Sequence, residues 1–391
     1  MSVSSAPAAL AAIAVIFGAC GSAAAQTGEG EGFTFKPRGR IQVDAQHRDW
    51  DVRDEDDTDL YVRRLYLGAQ GRLHGDWRYK VDLVLTPGIE TVGVDDAYIE
   101  YAGEGWSLFV GEHNVAAPLE ERTSSLDIPF IERSSIINAF GYGRRAGLGF
   151  TTSGARWQLA LAAQGGSMNA ADGEGDADES RALSARFSFA PILDAQDGRV
   201  LHLGANVRHR YQNDALMRVR ARPLNGRDTR WIDAGSSSAN RLEDDIGLGG
   251  EIAFGHGPFT LVSEYIALSG DTPAGGARDF HGYYIDAHWS LTGEARPYRV
   301  SQGVFTAVSP RAPLNEGGMG HWALSARHDF IDLSDGSDVN RGEQSAYAVG
   351  LDWIPVEHVR FKLNYAHSEM DRTVGADGEA EIITLRGQFD F

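Results

Sequence analysis

From Gly39 onward the chain repeats one short pattern, in which apolar and polar side chains alternate over about ten residues. Such alternation places one set of side chains on each face of a β-strand. The pattern continues to the last residues, "EIITLRGQFDF", where Ile383, Leu385, Phe389 and Phe391 share one face. After residue 25 no apolar run approaches the ~20 residues that a membrane-spanning helix needs. A membrane protein with this sequence must therefore be a β-barrel, because lipid cannot satisfy unpaired backbone groups.

Sixteen segments show this alternation, an even number as expected of an antiparallel barrel. They are Gly39–Asp49, Asp59–Leu73, Trp77–Leu85, Asp95–Ala102, Trp106–His113, Arg144–Thr152, Arg156–Ala163, Arg181–Ala190, Val200–Gln212, Asp245–Phe254, Phe259–Leu268, His281–Thr292, His321–Leu333, Ser345–Ile354, Val359–His367 and Glu381–Phe391. Long polar connections such as "GGSMNAADGEGDADES" alternate with tight turns such as "HGD" and "PVEH". Only the twelfth connection, residues 293–320, is long on the short-turn side. The predicted fold is all-β: a 16-stranded antiparallel transmembrane barrel.

The start of the chain has the pattern of an export signal. An apolar core over residues 8–19 is followed by small residues suited to cleavage before Gln26, although no Lys or Arg precedes it. We interpret residues 1–25 as a signal peptide, 26–38 as a short periplasmic segment and 39–391 as the barrel. The single cysteine, Cys20, would be removed with the signal. A lipoprotein is disfavoured because Phe17 stands three residues before it.

The net charge of −19 is concentrated in four long connections, over residues 50–59, 167–180, 332–343 and 367–381. These hold twenty acids against three arginines. A Debye length of ~8 Å at physiological salt screens such rim charge from the channel interior, so we interpret the acids as solvated loops. Calcium binding by "DEDDTD" is the alternative, but this stretch lacks the Gly and distal Glu of an EF-hand loop.

The third long connection, residues 113–143, is too long and too apolar for a solvated loop, so we expect it to fold inward and narrow the lumen. Arginines follow its course, and guanidinium groups suit phosphate and carboxylate because their fork gives paired hydrogen bonds. Any one of them could instead pair with a lumenal acid such as Asp82, Asp96 or Glu100. Strand alternation also directs further cations to the lumen: Arg64, Arg72, Arg78, Lys80, Arg156 and Arg186. The clustering favours an anion path.

We predict that six arginines line the narrow part: Arg63, Arg64, Arg122, Arg133, Arg144 and Arg145. A second cluster in the fifth long connection predicts a secondary anion path along Arg208, Arg210, Arg218, Arg220 and Arg222, with Arg227 and Arg230 nearby.

Several stretches of this sequence resemble the phosphate-selective porin O/P family, in order from about Gly39 to Phe391. They include "YVRRLYLGAQGRLHGDWRYKVDL", "VDDAYIEYAG", "RVRARPLNGRDTRWIDAG" and "WSLTGEARPY". The most specific are "EERTSSLDIPFIER" and the doublet Arg63–Arg64. The resemblance implies a trimeric sixteen-stranded porin of the Gram-negative outer membrane, with the third loop at the constriction and an arginine ladder drawing anions inward. It also implies that the terminal Phe391 serves as an assembly signal.

The predicted function is passive diffusion of small anions, with phosphate or polyphosphate as candidate solutes. Strongly phosphate-selective members of the family use a lysine near the constriction, whereas this chain has no Lys between Lys80 and Lys362. The stretch from Glu112 to Arg133 instead has five acids, Glu112, Glu120, Glu121, Asp127 and Glu132. A general or mildly cation-preferring porin is therefore the alternative.

Other classes of function are less compatible with the sequence. A barrel enzyme would need a Ser, a His and an acid that converge on the rim, and neither G-x-S-x-G nor H-E-x-x-H occurs. An adhesin or phage receptor would use the acidic loops. We expect no enzyme activity, cofactor, metal or nucleic-acid partner. The expected partners are small anions, outer-membrane lipid and lipopolysaccharide, and the outer-membrane assembly machinery.

Overall fold

The computed structural model of the chain describes residues 32–51, 57–85, 92–168, 180–195, 197–212, 216–226 and 230–391. The predicted export signal, residues 1–25, lies outside this part of the chain, as do most of the acids of the first two acidic loops. Among the described residues, no helix is both long and apolar enough to cross a membrane.

Sixteen strands form one closed barrel, as the alternation predicted. They are β1 (Lys36–Trp50), β2 (Asp57–His74), β3 (Trp77–Val84), β4 (Gly93–Gly103), β5 (Trp106–His113), β6 (Arg145–Ser153), β7 (Trp157–Gln164), β8 (Ser180–Asp194), β9 (Arg199–Gln212), β12 (Asp244–His256), β13 (Phe259–Asp271), β14 (Ala277–Ser290), β17 (His321–Asp332), β18 (Gly342–Val356), β19 (Val359–Arg372) and β20 (Gly378–Asp390). Each is antiparallel to its neighbours. β20 pairs with β1, and Phe391 and Gly39 exchange backbone hydrogen bonds of 3.1 Å, so the ring closes.

Two short ribbons lie outside the barrel sheet. Strands β10 (Arg220–Ala221) and β11 (Ile232–Asp233) belong to the fifth long loop, which joins β9 to β12. Strands β15 (Tyr298–Arg299) and β16 (Val304–Phe305) belong to the long connection on the short-turn side, which joins β14 to β17. The first ribbon reaches across the long-loop mouth, where Trp231 packs against Trp50 of β1 with 5.6 Å between ring centroids. This crossing connection leaves less open area at the mouth than eight simple loops would.

The strands are uneven in length. β3, β5 and β7 have eight residues each, whereas β8, β18 and β19 have fourteen or fifteen. Several of the long strands extend beyond the predicted segments, because their polar ends continue the backbone ladder outside the apolar band. The barrel wall is therefore shorter along the barrel axis on the side that contains β3, β5 and β7, here called the low side.

The register shifts at one position that matters for the lumen. Gln42 pairs with Arg64 and Val43 with Val62, so Arg63 is the extra residue of a β-bulge. Strict alternation would direct Arg63 to the lipid side when Arg64 faces inward. The bulge instead allows both side chains of the doublet to enter the lumen.

The twelfth connection also differs from a simple turn. It enters the barrel from the short-turn side, where Val304 and Phe305 are buried. The buried side chain of Arg186 donates hydrogen bonds to the carbonyl oxygens of Gln302 (3.0 Å) and Gly303 (2.8 Å). We refer to residues 291–320 as the short-side insert. Its entry into the lumen was not predicted.

Candidate functional site

The connection between β5 and β6, residues 114–144, lies inside the barrel and is here called the third loop. It contains one helical turn, Leu119–Arg122, and a short helix, Ser135–Phe140. Glu264 of β13 accepts hydrogen bonds from the backbone N–H groups of Leu119 (2.8 Å) and Glu120 (2.7 Å). Asp329 of β17 accepts one from Ser135 N–H (2.8 Å). The opposite wall thus satisfies the backbone groups with which both helical segments begin.

Three cations of the same wall also hold the third loop. Arg327 is 3 % exposed and binds Asp286 (2.7 Å), Glu120 (2.5 Å) and the carbonyl oxygen of Glu132 (3.1 Å). Arg386 donates to the Ile131 carbonyl oxygen at 3.0 Å, and the ammonium group of Lys362 donates to that of Ile128. These bonds fix the loop against β13–β20 and leave the lumen open on the other side.

The open side contains a cavity of about 830 Å³ between the third loop, the short-side insert and strands β1–β5. Nine of its lining side chains are cationic and six are acidic, so its wall is net positive although the chain carries −19. The cations are Lys36, Arg38, Arg40, Arg64, Lys80, Arg122, Arg133, Arg144 and Arg299, and the acids are Asp82, Asp95, Asp96, Glu121, Asp127 and Asp390.

Five of these arginines bind only uncharged groups. One of them, Arg299 of the short-side insert, donates to Gln302 Oε1 (3.3 Å), and the other four belong to β1, β2 and the third loop. Arg40 donates to Ser125 Oγ (2.7 Å) and Arg64 to Gln42 Oε1 (3.0 Å). Arg122 donates to the carbonyl oxygens of Gln302 (3.1 Å) and Val115. Arg133 donates to those of Glu120 (3.2 Å) and Thr123 (2.9 Å). Within the described part of the chain, none of the four has a carboxylate oxygen within salt-bridge distance.

Burial lowers the pKa of Arg122 to about 9, with the Arg186 charge as a further cause. The guanidinium group therefore still carries its charge at neutral pH. A half-buried cation that is not neutralised by the protein attracts a mobile anion, because the surrounding low dielectric strengthens the interaction.

A second group of charged cavity residues forms ion pairs with one another, so their charges largely cancel. Arg144 binds Asp96 (3.0 Å) and Asp95 (3.4 Å), while Lys80 binds Asp82 (3.2 Å) and Asp96. Burial disfavours the charge on Arg144, but Asp96 and Asp95 outweigh it and raise the pKa of the guanidinium. Oxygens of the three carboxylates lie within 4.8 Å of one another. With Lys80 and Arg144 between them, we infer no metal site there.

The six arginines predicted for the narrow part fall into two groups. Arg64, Arg122, Arg133 and Arg144 line the cavity. Arg63 lies behind it in a two-bonded ion pair with Glu132 (2.9 and 3.1 Å). Arg145 is 5 % exposed and donates to the Tyr142 carbonyl oxygen at 3.3 Å.

Most of the five acids that argued against an anion path are bound by other groups of the protein. Glu120 binds Arg327 and Ser134, and Glu112 accepts from Ser167 Oγ at 2.7 Å. Glu121 accepts from the N–H groups of Tyr142 (2.7 Å) and Gly143 (2.6 Å). Burial opposes ionisation of Glu132, but Arg63 outweighs it and lowers the pKa of that carboxyl to about 2. Of the five, Glu121 and Asp127 line the cavity.

The second arginine cluster lies away from the cavity. Arg208 and Arg210 are buried and share Asp245 at 3.1 and 2.7 Å. Arg218 binds Asp233 at 2.8 Å. Arg220 belongs to ribbon β10–β11, and the carbonyl oxygen of Arg222 accepts a hydrogen bond from Gln344 at 3.0 Å. Arg227 lies outside the described residues. None of the five predicted for a secondary anion path lines the cavity, so the proposal below does not include them.

The family model for "Phosphate-selective porin O and P" matches residues 35–391, which is the whole described barrel. The chain belongs to this family. It is thus a porin of the Gram-negative outer membrane, and the family and fold are those of channels.

Two relatives and one solved structure illustrate the similarity. The porin is 32 % identical over 349 residues to an uncharacterized protein of Caulobacter vibrioides, covering 85 % of this chain and 68 % of that one. It is 27 % identical over 381 residues to Porin O of Pseudomonas aeruginosa, covering 89 % and 85 %. The anion-selective porin from Comamonas acidovorans superimposes with a TM-score of 0.57 at 10 % identity, covering 91 % of this chain and 100 % of that one. This last likeness shows the fold.

Four cavity cations of the porin were absent from the sequence prediction, and one of them is Lys36, the first residue of β1. Arg38 and Arg40 occupy alternate positions of β1, and Arg299 lies in the short-side insert. The alternation signal in β1 was available, because Arg38, Arg40 and Gln42 share one face. Lys36 and Arg38 were missed because the first strand was predicted to begin at Gly39, whereas β1 begins at Lys36. Arg40 lay within the predicted strand and was not counted among its lumenal cations.

Among the strand cations predicted to face the lumen, Arg186 is buried against Glu251 at 2.7 Å. Arg72, Arg78 and Arg156 are exposed near the short turns, and none of these lines the cavity.

Proposed function

We propose that this porin conducts small anions passively and that Arg40, Arg64, Arg122 and Arg133 form its anion-selective constriction, with phosphate among the solutes. The observation that carries the proposal is that these four guanidinium groups share one cavity while no carboxylate of the described chain neutralises them. A pore selects ions by the fixed charges at its narrow part. Unpaired arginines at that place favour anions over cations.

The chemistry of the cavity wall supports oxyanions as the solutes. A guanidinium group offers two parallel N–H donors that match two oxygens of a phosphate or carboxylate. Thr123, Ser124 and Ser125 add hydroxyl groups to the same wall. The lysines contribute less, since Lys80 is paired with Asp82 and Asp96 and Lys362 is bonded to the third loop, while Lys36 lines the cavity as an exposed side chain. The arginines therefore take the place of the lysine used by strongly phosphate-selective members.

A second candidate is a general or mildly cation-preferring porin without phosphate specificity. Asp127, Glu121 and the Asp82–Asp95–Asp96 group favour it, because they line the same cavity as the arginines. The two candidates differ in the sign of the ion selectivity.

Single-channel recording across a potassium chloride gradient tests the proposal. We expect a reversal potential with the same sign as the chloride equilibrium potential. We also expect the chloride current to fall when millimolar phosphate is added, because the arginines hold an oxyanion longer than a halide. A cation-selective or zero reversal potential would contradict the anion path. A chloride-selective potential without phosphate block would retain the anion path and remove phosphate as a favoured solute.

We also propose that the porin assembles as a homotrimer through the low side of its barrel. At ~3.3 Å per residue and a tilt of ~40°, an eight-residue strand such as β3, β5 or β7 is ~20 Å high, less than the ~25 Å apolar band of an outer-membrane barrel. Contact with other copies of the chain would shield this short part of the wall from the surrounding lipid. Light scattering of the detergent-solubilised protein should give the mass of three chains, and a monomer at every protein concentration would contradict the proposal.

A further inference from the structure

Six rings form a continuous patch on the outward face of β13, β14, β17 and β18. Neighbouring ring centroids are 6.1 Å apart for Tyr265–His281 and His281–Phe330, 5.7 Å for Phe330–Tyr283, 5.6 Å for Tyr283–His328 and 4.7 Å for His328–Tyr347. We call these six residues the outer ring patch. The residues alternate with buried lumenal neighbours such as Tyr284 and Asp329. The patch therefore faces the membrane side of the wall.

The position of the patch along the strands places it at the long-loop boundary of the membrane. On the same strands, stacked rings near the short turns, Phe259–Trp289 and Trp322–Trp353, form the opposite aromatic belt. His328 follows Trp322 by six residues on β17, and His281 precedes Trp289 by eight on β14. At ~3.3 Å per residue and a tilt of ~40° this separation is ~15–20 Å across the membrane. The outward residues next beyond the patch are polar, Asp279 on β14, Asp332 on β17 and Ser345 on β18, so the apolar face of these strands ends at the patch. The outer ring patch therefore meets the headgroups of the outer leaflet.

The polar atoms of the patch lack good partners within the described chain. No hydrogen bond to a described residue satisfies the hydroxyl groups of Tyr265, Tyr283 or Tyr347. His328 Nε2 has only a long contact of 3.4 Å with Ser345 Oγ. Polar groups at a lipid-facing wall are costly unless they are hydrogen-bonded. Headgroup oxygens would satisfy these donors.

Histidine distinguishes this patch from an ordinary aromatic belt, because an imidazole, unlike a phenol or phenyl ring, can take up a proton and become a cation. His328 faces Tyr283 and Ile285 on β14 and Tyr347 and Ser345 on β18, with no carboxylate among them. His281 faces Asp332 at 3.9 Å, and Glu343 of β18 stands opposite Asp332. Protonated His328 thus has no protein anion to pair with.

We propose that the outer ring patch binds the phosphate groups of outer-leaflet glycolipid and that His281 and His328 make this binding stronger at acidic pH. The tyrosine hydroxyls donate at any pH, and His328 contributes the main added charge because Asp332 offsets that of His281. The ligand is lipid-borne phosphate. Free phosphate would use the lumenal arginines, which lie on the other side of the wall.

Binding of the refolded full-length porin to bisphosphorylated lipid A in detergent tests this proposal. At ~1 kcal/mol per cation near an anionic surface, we expect binding about five- to ten-fold tighter at about pH 5.5 than at about pH 8. His281→Gln/His328→Gln should lose this pH dependence and keep the affinity found at the higher pH. The matched control is His74→Gln/His256→Gln, which removes two exposed histidines near the short turns and should retain it.

Three outcomes would overturn the proposal. The first is an equal pH dependence in the His281→Gln/His328→Gln variant. The second is equal binding of enzymatically dephosphorylated lipid A, which would reduce the patch to an apolar belt. The third is displacement of lipid A by millimolar inorganic phosphate. Tyr283→Phe/Tyr347→Phe separates the two kinds of donor, since it should weaken binding at both pH values. Heat-modifiable gel mobility confirms that each variant is folded.

Discussion

The variant Arg122→Glu/Arg133→Glu is expected to replace the proposed anion preference of the porin by a preference for cations. Both side chains line the cavity, and neither is bound by a carboxylate of the described chain. The double change shifts the local charge by four units. At ~7 Å and a dielectric near that of water this alters the energy of a monovalent ion by ~2 kcal/mol before screening. The chloride-to-potassium permeability ratio should fall about ten-fold.

Reversal potentials of the wild type and the variant in the same salt gradient measure this change. Arg156→Glu/Arg199→Glu is the matched control, because both side chains are exposed near the short turns and outside the cavity lining. It changes the net charge of the chain equally and should shift the potential little. An unchanged potential in the Arg122 and Arg133 variant would show that these arginines only position the third loop.

The variant Arg327→Met is expected to release the third loop and enlarge the pore. Arg327 is buried with Asp286 and Glu120, and removing one partner of a buried ion pair costs ~3–5 kcal/mol. Detachment of the loop would relieve this cost by hydrating both carboxylates. The barrel itself should persist, because the backbone ladder of β14, β17 and β18 does not depend on the side chain.

We expect a several-fold higher single-channel conductance and new trypsin cleavage after Arg122 or Arg133 in the Arg327→Met protein. Arg199→Met, at an exposed short turn, is the control and should change neither. Adding Asp286→Asn and Glu120→Gln to Arg327→Met should restore part of the protease resistance, since the buried charges are then removed. Wild-type conductance together with full protease resistance in Arg327→Met would show that the remaining wall contacts hold the loop without it.

The barrel could be predicted from the sequence because its signal is local and repeated. Each strand alternates lipid-facing and lumen-facing residues, so a period of two identifies all sixteen without knowledge of their partners. The exact strand ends could not be predicted in this way. β1 begins at Lys36, and β19 continues to Arg372, because ladder hydrogen bonds extend where the apolar pattern stops.

The roles of individual charges depended on contacts between residues that are far apart in the chain. Arg63 and Arg64 are neighbours in the chain, but only Arg64 lines the cavity. A β-bulge turns Arg63 into the lumen, where it forms an ion pair with the distant Glu132 behind the cavity. Lys362 lies 234 residues from Ile128 along the chain, yet its ammonium group donates a hydrogen bond to the Ile128 carbonyl oxygen in the third loop.

The sequence by itself determined the fold class, the strand count and which charged residues the third loop carries, because these follow from residue type and spacing along the chain. The tertiary structure alone decided which of the arginines meet a carboxylate and which face the cavity. Ion pairing depends on a few ångströms between side chains of different strands and loops, and no local pattern encodes that distance.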